Sequence, residues 1–187
     1  MHDLTPAADR LAGLLTGVTD AQLTAPTPCS EYTAGDLIDH ISGLSIAFTA
    51  AAVKDFSLTA QGPSGDASRL PADWRTRVPE QLSALARAWE DPAAWGGMTQ
   101  AGGLELPGPV AGLIALDELV VHGWDLAKAT GQPFDCDAES LAACLEFVGP
   151  AAGSEEGPFD PPVEVSPDAP PLDRLIGLTG RDPGWRP

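Results

Sequence analysis

The residues in this sequence best suited to chemistry are His40, Glu118 and His122. Three histidines occur in all and His2 lies at the terminus, which leaves His40 and His122 as the two inside the chain. Glu118 and His122 are four residues apart, a spacing that puts both side chains on one face of a helix. That face continues through Ala111, Ile114 or Ala115, and Ala129, so its surroundings are small or apolar. A lone carboxylate in such a surface would be costly to keep ionised, or would protonate. A divalent cation removes that penalty and binds imidazole and carboxylate together. With His40 the set becomes two imidazoles and one carboxylate, leaving a coordination position open, as in catalytic rather than structural centres. A water or thiol at that position loses its proton more readily. The donor set suits Zn(II) first, with Ni(II) and Fe(II) as alternatives. Asp36, one turn before His40, and Asp125, three residues after His122, are placed to orient the two rings.

Plainer readings of the same residues exist. A lone inward histidine is more often a hydrogen-bonded core residue than a ligand. Glu and His four apart also form an ordinary helix-surface pair. Cys29 reads as a small apolar residue in a capping loop rather than a reactive thiol. Trp74, Trp89 and Trp124 read as core. Arg69, Arg75, Arg77 and Arg87 read as a solvated group, and as the place where an anionic thiol substrate would first be met.

Helices must position these groups. Residues 5–17 predict a first helix, with Thr5 as cap, Pro6 at the first position and Leu11, Leu14 and Leu15 as its stripe. Pro26 and Pro28 block continuation. Thr33 opens a second helix running to about Lys54, with Asp36 in a capping-box position. Its inner face collects Leu37, His40, Ile41, Leu44, Ala47, Phe48 and Ala51, of which only His40 is not apolar. Residues 56–70 read as a loop. A third helix spans about 71–90, with a kink or break expected at Pro79. Glycine and proline make 91–108 a loop, with a short extended piece around Leu104–Leu106. The fourth helix, about 109–129, ends at Gly131, and a fifth covers about 137–148. Proline and glycine dominate from Gly149 until a short helix at 171–179. Alternating strand patterns are nearly absent, so the expected class is all-α with long loops. We expect a single domain over 1–187: a bundle over about 1–149 and a Pro/Gly-rich tail over 150–187.

Composition bounds the partners. The 187 residues include 27 acidic and 10 basic side chains, for a net charge of −17. Such a surface repels phosphate backbones and anionic lipid, which argues against nucleic acid and membrane partners. Cys29, Cys136 and Cys144 form no CxxC pair and suggest no disulfide framework. The start, MHDLTPAADRLAGLL, reads as an amphipathic helix rather than a signal peptide, and a cytoplasmic location is expected. A homodimer is compatible with a bundle, though no residue pattern demonstrates one.

Two stretches resemble a known family. TPCSEYTAGDLIDHISG resembles a proline-cysteine loop leading into a helix with a ligand histidine. DELVVHGWDLAKATGQ resembles the helix that supplies a Glu and a His four apart, followed by Gly-Trp-Asp. Together they look like the DinB/YfiT-like superfamily, in the branch related to the N-terminal domain of mycothiol-dependent maleylpyruvate isomerase. The tail APPLDRLIGLTGRDPGW is similar to the ending of actinobacterial metal-binding members of that branch. The resemblance implies an up-down-down-up four-helix bundle with a metal held by His40, Glu118 and His122. It also implies a low-molecular-weight thiol such as mycothiol, used as a metal-activated thiolate by a transferase or isomerase acting on an electrophile. The isomerase of this branch carries a second, sterol-carrier-like domain where this sequence has a short Pro-rich tail. The maleylpyruvate reaction therefore does not carry over. A non-catalytic metal- or ligand-binding module is the alternative, and a metal-free bundle with the three groups hydrogen-bonded together is a third.

Overall fold

The computed structural model describes residues 1–58, 62–154 and 159–187. Its elements are α1 (Thr5–Thr16), α2 (Ala34–Val53), α3 (Trp74–Trp89), β1 (Met98–Ala101), β2 (Leu104–Pro107), α4 (Gly108–Thr130), α5 (Ala138–Val148) and α6 (Pro171–Leu178). The protein is mostly helical, as expected. Each of α1 and α2 packs against both α3 and α4, so four helices enclose the main core. Fully buried Leu11, Leu15, Leu37, Ile41, Leu82, Leu85 and Leu116 fill it, with Trp89 the largest side chain among them. Trp74, Trp89 and Trp124 are all buried, as their spacing predicted.

Helix α2 begins as its sequence dictates. The Thr33 hydroxyl accepts from the Asp36 amide at 3.3 Å, and the Asp36 carboxylate accepts from the Thr33 amide at 3.0 Å. The helix ends at Lys54, which takes the left-handed conformation with φ 59°. Ala34–Val53 is long and apolar enough to cross a membrane by length and composition alone. Half of that window is buried, against α3 and α4.

Several local expectations are corrected. Thr5 is not the cap of α1: Leu4 holds that position, and the Asp3 carboxylate accepts from the Thr5 amide at 2.8 Å. Pro79 does not break α3, which runs through it from Trp74 to Trp89. Proline there removes one helical hydrogen bond, while Trp74, Val78, Leu82 and Leu85 on either side are buried and hold the helix in place. Short 3₁₀ turns occupy Phe56–Leu58 and Ala67–Arg69 inside the expected loop.

The extended piece near Leu104 has a partner. β1 and β2 form an antiparallel hairpin pairing Met98 with Pro107 and Ala101 with Leu104. Gly102 and Gly103, at φ 57° and 80°, supply the two positive-φ residues of its tight turn. The buried Thr99 hydroxyl donates to the Ala51 carbonyl at 2.6 Å and ties the hairpin to α2.

Residues 159–187, after α5, are anchored as well. α6 packs on α5, with Leu175 and Ile176 fully buried. The Val163 amide donates to the Gly177 carbonyl at 2.9 Å. Gly177 permits that approach, since a Cβ there would lie 2.9 Å from the Val163 carbonyl oxygen. This return of the chain matters for the site.

Candidate metal centre

His40 projects from the second turn of α2, and Glu118 and His122 project from adjacent turns of α4. Their three donor atoms lie within 4.8 Å of one another. The two imidazole rings meet edge to face with centroids 5.0 Å apart. A tetrahedral ion with bonds of about 2.0–2.1 Å needs donors roughly 3.4 Å apart.

Each ring has one nitrogen engaged outside the cluster. His40 Nδ1 is 2.9 Å from the Pro63 carbonyl oxygen, which can only accept, so Nδ1 carries the proton. Nε2 of His40 is then a free lone pair. Burial, followed by the neighbouring His122, holds the His40 imidazole below its ordinary pKa and so favours the neutral form.

His122 sits between two carboxylates. Its Nδ1 is 3.0 Å from Asp125 Oδ2 and its Nε2 is 2.9 Å from Glu118 Oε2. Burial opposes a charge on this ring, but hydrogen bonds to Asp125 and Glu118 overcome it and push the pKa up to about 9. Burial also works against ionised Glu118, and the His122 hydrogen bond outweighs it, so this carboxyl lies below its ordinary range.

Asp125 is fully buried and Arg181 neutralises it. The Arg181 Nε donates to Oδ1 at 2.9 Å and Nη2 donates to Oδ2 at 3.0 Å. Arg181 arrives from the turn after α6. Next to Glu118, the buried Asp117 has an Oδ1 atom with no hydrogen-bond partner among the described residues. Burial, reinforced by the charge of Glu118, pushes its pKa up to about 7.

A cavity of about 330 Å³ opens onto the triad, with Cys29, Tyr32, Asp117, Phe147, Phe159 and Arg181 among its walls. Cys29 Sγ lies within 4.8 Å of donor atoms of His122 and Asp125. Burial, then the Asp125 charge, pushes this thiol up to about 11, so it is no thiolate at neutral pH.

The three residues selected from the sequence are thus brought together. Asp125 does orient His122. Asp36 does not orient His40: its oxygens serve Thr33 and the Ala67 amide, the latter at 2.8 Å, because a carboxylate at the third helical position is drawn to the free amides of the helix start. The arginine group lies elsewhere. Arg69, Arg75 and Arg77 pair with Asp39, Asp20 and Asp73 on the surface, and the cation facing the cavity is Arg181. Sequence reasoning missed Arg181 and Asp117. An acid beside Glu118 on an apolar helix was visible as a signal for Asp117; the pairing of Arg181 with a residue 56 positions away was not.

The sequence pattern of the mycothiol maleylpyruvate isomerase N-terminal domain matches residues 4–127. The chain belongs to this family. Among curated relatives are uncharacterized proteins of Mycobacterium tuberculosis strains H37Rv and CDC 1551. Each is 36% identical over 182 residues, covering 94% of this chain and 93% of the relative. Among solved structures, the mycothiol-dependent maleylpyruvate isomerase aligns with a TM-score of 0.61 at 17% identity, over 78% of this chain and 68% of that one. A histidine-to-alanine mutant of that enzyme aligns equally well. At that identity the likeness establishes a shared helical fold. The family match ends at residue 127, so it covers His40, Glu118, His122 and Asp125 but not Arg181.

Proposed function

We propose that this protein binds one divalent metal ion through His40, Glu118 and His122 and uses the site to activate a low-molecular-weight thiol, of the mycothiol class, for transfer to or isomerisation of an electrophile. The carrying observation is the convergence of the three donor atoms within 4.8 Å, with the proton of His40 directed away from the cluster. Membership of the mycothiol-dependent family supports the choice of thiol. The donor set of two nitrogens and one carboxylate oxygen suits Zn(II).

When bound, the ion supplies Lewis acidity that lowers the pKa of a thiol at its open position. The protein does the rest. His40 presents Nε2 because Pro63 takes its other nitrogen. Asp125 accepts from His122 Nδ1 and so turns Nε2 toward the cluster. Glu118 contributes the negative charge. The half-buried rings of Tyr32, Phe147 and Phe159 give the cavity apolar walls that limit water at the reacting group.

Elemental analysis of protein purified without a histidine tag tests the first half, with one equivalent of zinc expected. Addition of mycothiol to cobalt-substituted protein tests the second half: a sulfur-to-cobalt charge-transfer band is expected, followed by consumption of electrophile. A band without turnover would leave a binding module, and no band would remove the thiol mechanism.

One observation favours a metal-free reading. Glu118 and His122 already form a charged contact at 2.9 Å, which satisfies both without an ion. Zinc titration separates the two, because this reading requires His40→Ala to leave metal content unchanged.

A further inference from the structure

The buried Asp125 carboxylate has His122 on one side and Arg181 on the other. Its Oδ2 receives His122 Nδ1 at 3.0 Å together with Arg181 Nη2 at 3.0 Å, and its Oδ1 receives Arg181 Nε at 2.9 Å. A planar guanidinium held by two nitrogens fixes the plane of the carboxylate in a way a single point charge cannot. Arg181 is itself fixed: Nη1 donates to the Thr179 carbonyl at 3.0 Å, and its amide donates to the Ile176 carbonyl at 3.1 Å. Thr179 and Ile176 are both fully buried, so the anchor extends into the packing of α6.

We infer that Arg181 is a positioning residue for the metal centre, acting through Asp125 to hold His122 with Nε2 turned toward His40 and Glu118. The inference rests on the metal reading above and extends the site into the C-terminal segment, beyond the residues the family pattern covers. Arg181 is the fixed cation that holds the Asp125 carboxylate where it accepts from His122 Nδ1.

The sign of the effect makes this testable. Arg181 is positive, so by charge alone its removal should tighten binding of a cation; as a positioning residue its removal should weaken it. Zn²⁺ affinity is measured by competition with a chromophoric chelator on the untagged full chain, with circular dichroism to verify folding. Arg181→Gln is expected to weaken binding roughly 10–100-fold, the range for partners that orient a metal-ligating histidine. Asp125→Asn should do the same, and the double variant should be no weaker than Asp125→Asn alone, because both act along one chain of contacts. Arg181→Lys, which keeps the charge without the fork, should fall between Arg181→Gln and wild type. The absorption bands of the Co²⁺-loaded Arg181→Gln protein should shift, reporting a moved ligand.

Equal or tighter Zn²⁺ binding by folded Arg181→Gln overturns the inference while leaving the metal reading intact. Full additivity with Asp125→Asn overturns it too. Where Arg181→Gln fails to fold, Arg181→Lys carries the comparison, and wild-type affinity in that variant overturns it. Wild-type protein that takes up no Zn²⁺ overturns the metal reading and this inference together.

Discussion

The Nδ1 atom of His40 lies 2.9 Å from the carbonyl oxygen of Pro63, and this contact decides which nitrogen of the ring can bind a cation. A carbonyl accepts only, so the proton stays on Nδ1 and Nε2 is left as the ring's lone pair. Pro63 belongs to the loop between α2 and α3, which comes close enough to α2 that a Cβ on Gly43 would lie 2.5 Å from the Pro63 Cβ. The loop thereby supplies part of the site while contributing no ligand.

Removing His40 should cost more metal affinity than removing an orienting partner. His40→Ala is expected to weaken zinc binding by more than about 100-fold, the upper range for outer partners, with little change in thermal midpoint for the metal-free protein. Chelator competition and calorimetry check the two halves of this statement.

Proton release should accompany metal uptake. With a pKa of about 9, His122 carries both ring protons at pH 7, and the one on Nε2 must leave when a cation binds. Titration calorimetry at pH 7 in buffers of different ionisation enthalpy should report close to one proton released, falling toward zero above pH 9.

The same shift sets a stability profile for the metal-free protein. The folded-state pKa of His122 is raised above its unfolded value, so its contribution is complete below the unfolded pKa of about 6.5 and is lost as pH rises through about 9. Denaturant unfolding should show a fall on the order of 3 kcal/mol between pH 6.5 and 9.5, and His122→Phe should lack this pH dependence.

Asp117 should produce a fall at lower pH. Its folded pKa of about 7 exceeds the unfolded value, so stability declines as pH rises between about 4 and 7. Asp117→Asn removes the titration. The stability of this variant relative to wild type should increase by roughly 3 kcal/mol between pH 5 and pH 8, as read from urea midpoints.

Asp36 should behave as a cap. Asp36→Ala is expected to cost about 1 kcal/mol of stability, through the lost contacts to Thr33 and the Ala67 amide, and to leave zinc affinity unchanged. A change in affinity would return Asp36 to the metal centre.

Much of the arrangement is written locally in the chain. The four-residue spacing of Glu118 and His122 places them on one face wherever α4 forms, and Thr33 with Asp36 starts α2 so that His40 falls among Leu37, Ile41 and Leu44. Gly131 ends α4 in the left-handed conformation that glycine adopts without strain. Periodicity and capping are short-range properties, so they can be read without coordinates. Other features needed the tertiary structure. The hairpin depends on β1 meeting β2 across two glycines, and no alternating pattern marks strands of four residues. That Pro63, rather than Asp36, accepts the hydrogen bond from His40 Nδ1 depends on where Pro63 lies against α2. The cation beside Asp125 lies 56 residues further along the chain, and only the packing of α6 and the turn after it brings Arg181 to α4. Sequence spacing determines which side chains share a helix face; the partners that neutralise and orient them come from distant segments, and packing alone selects those.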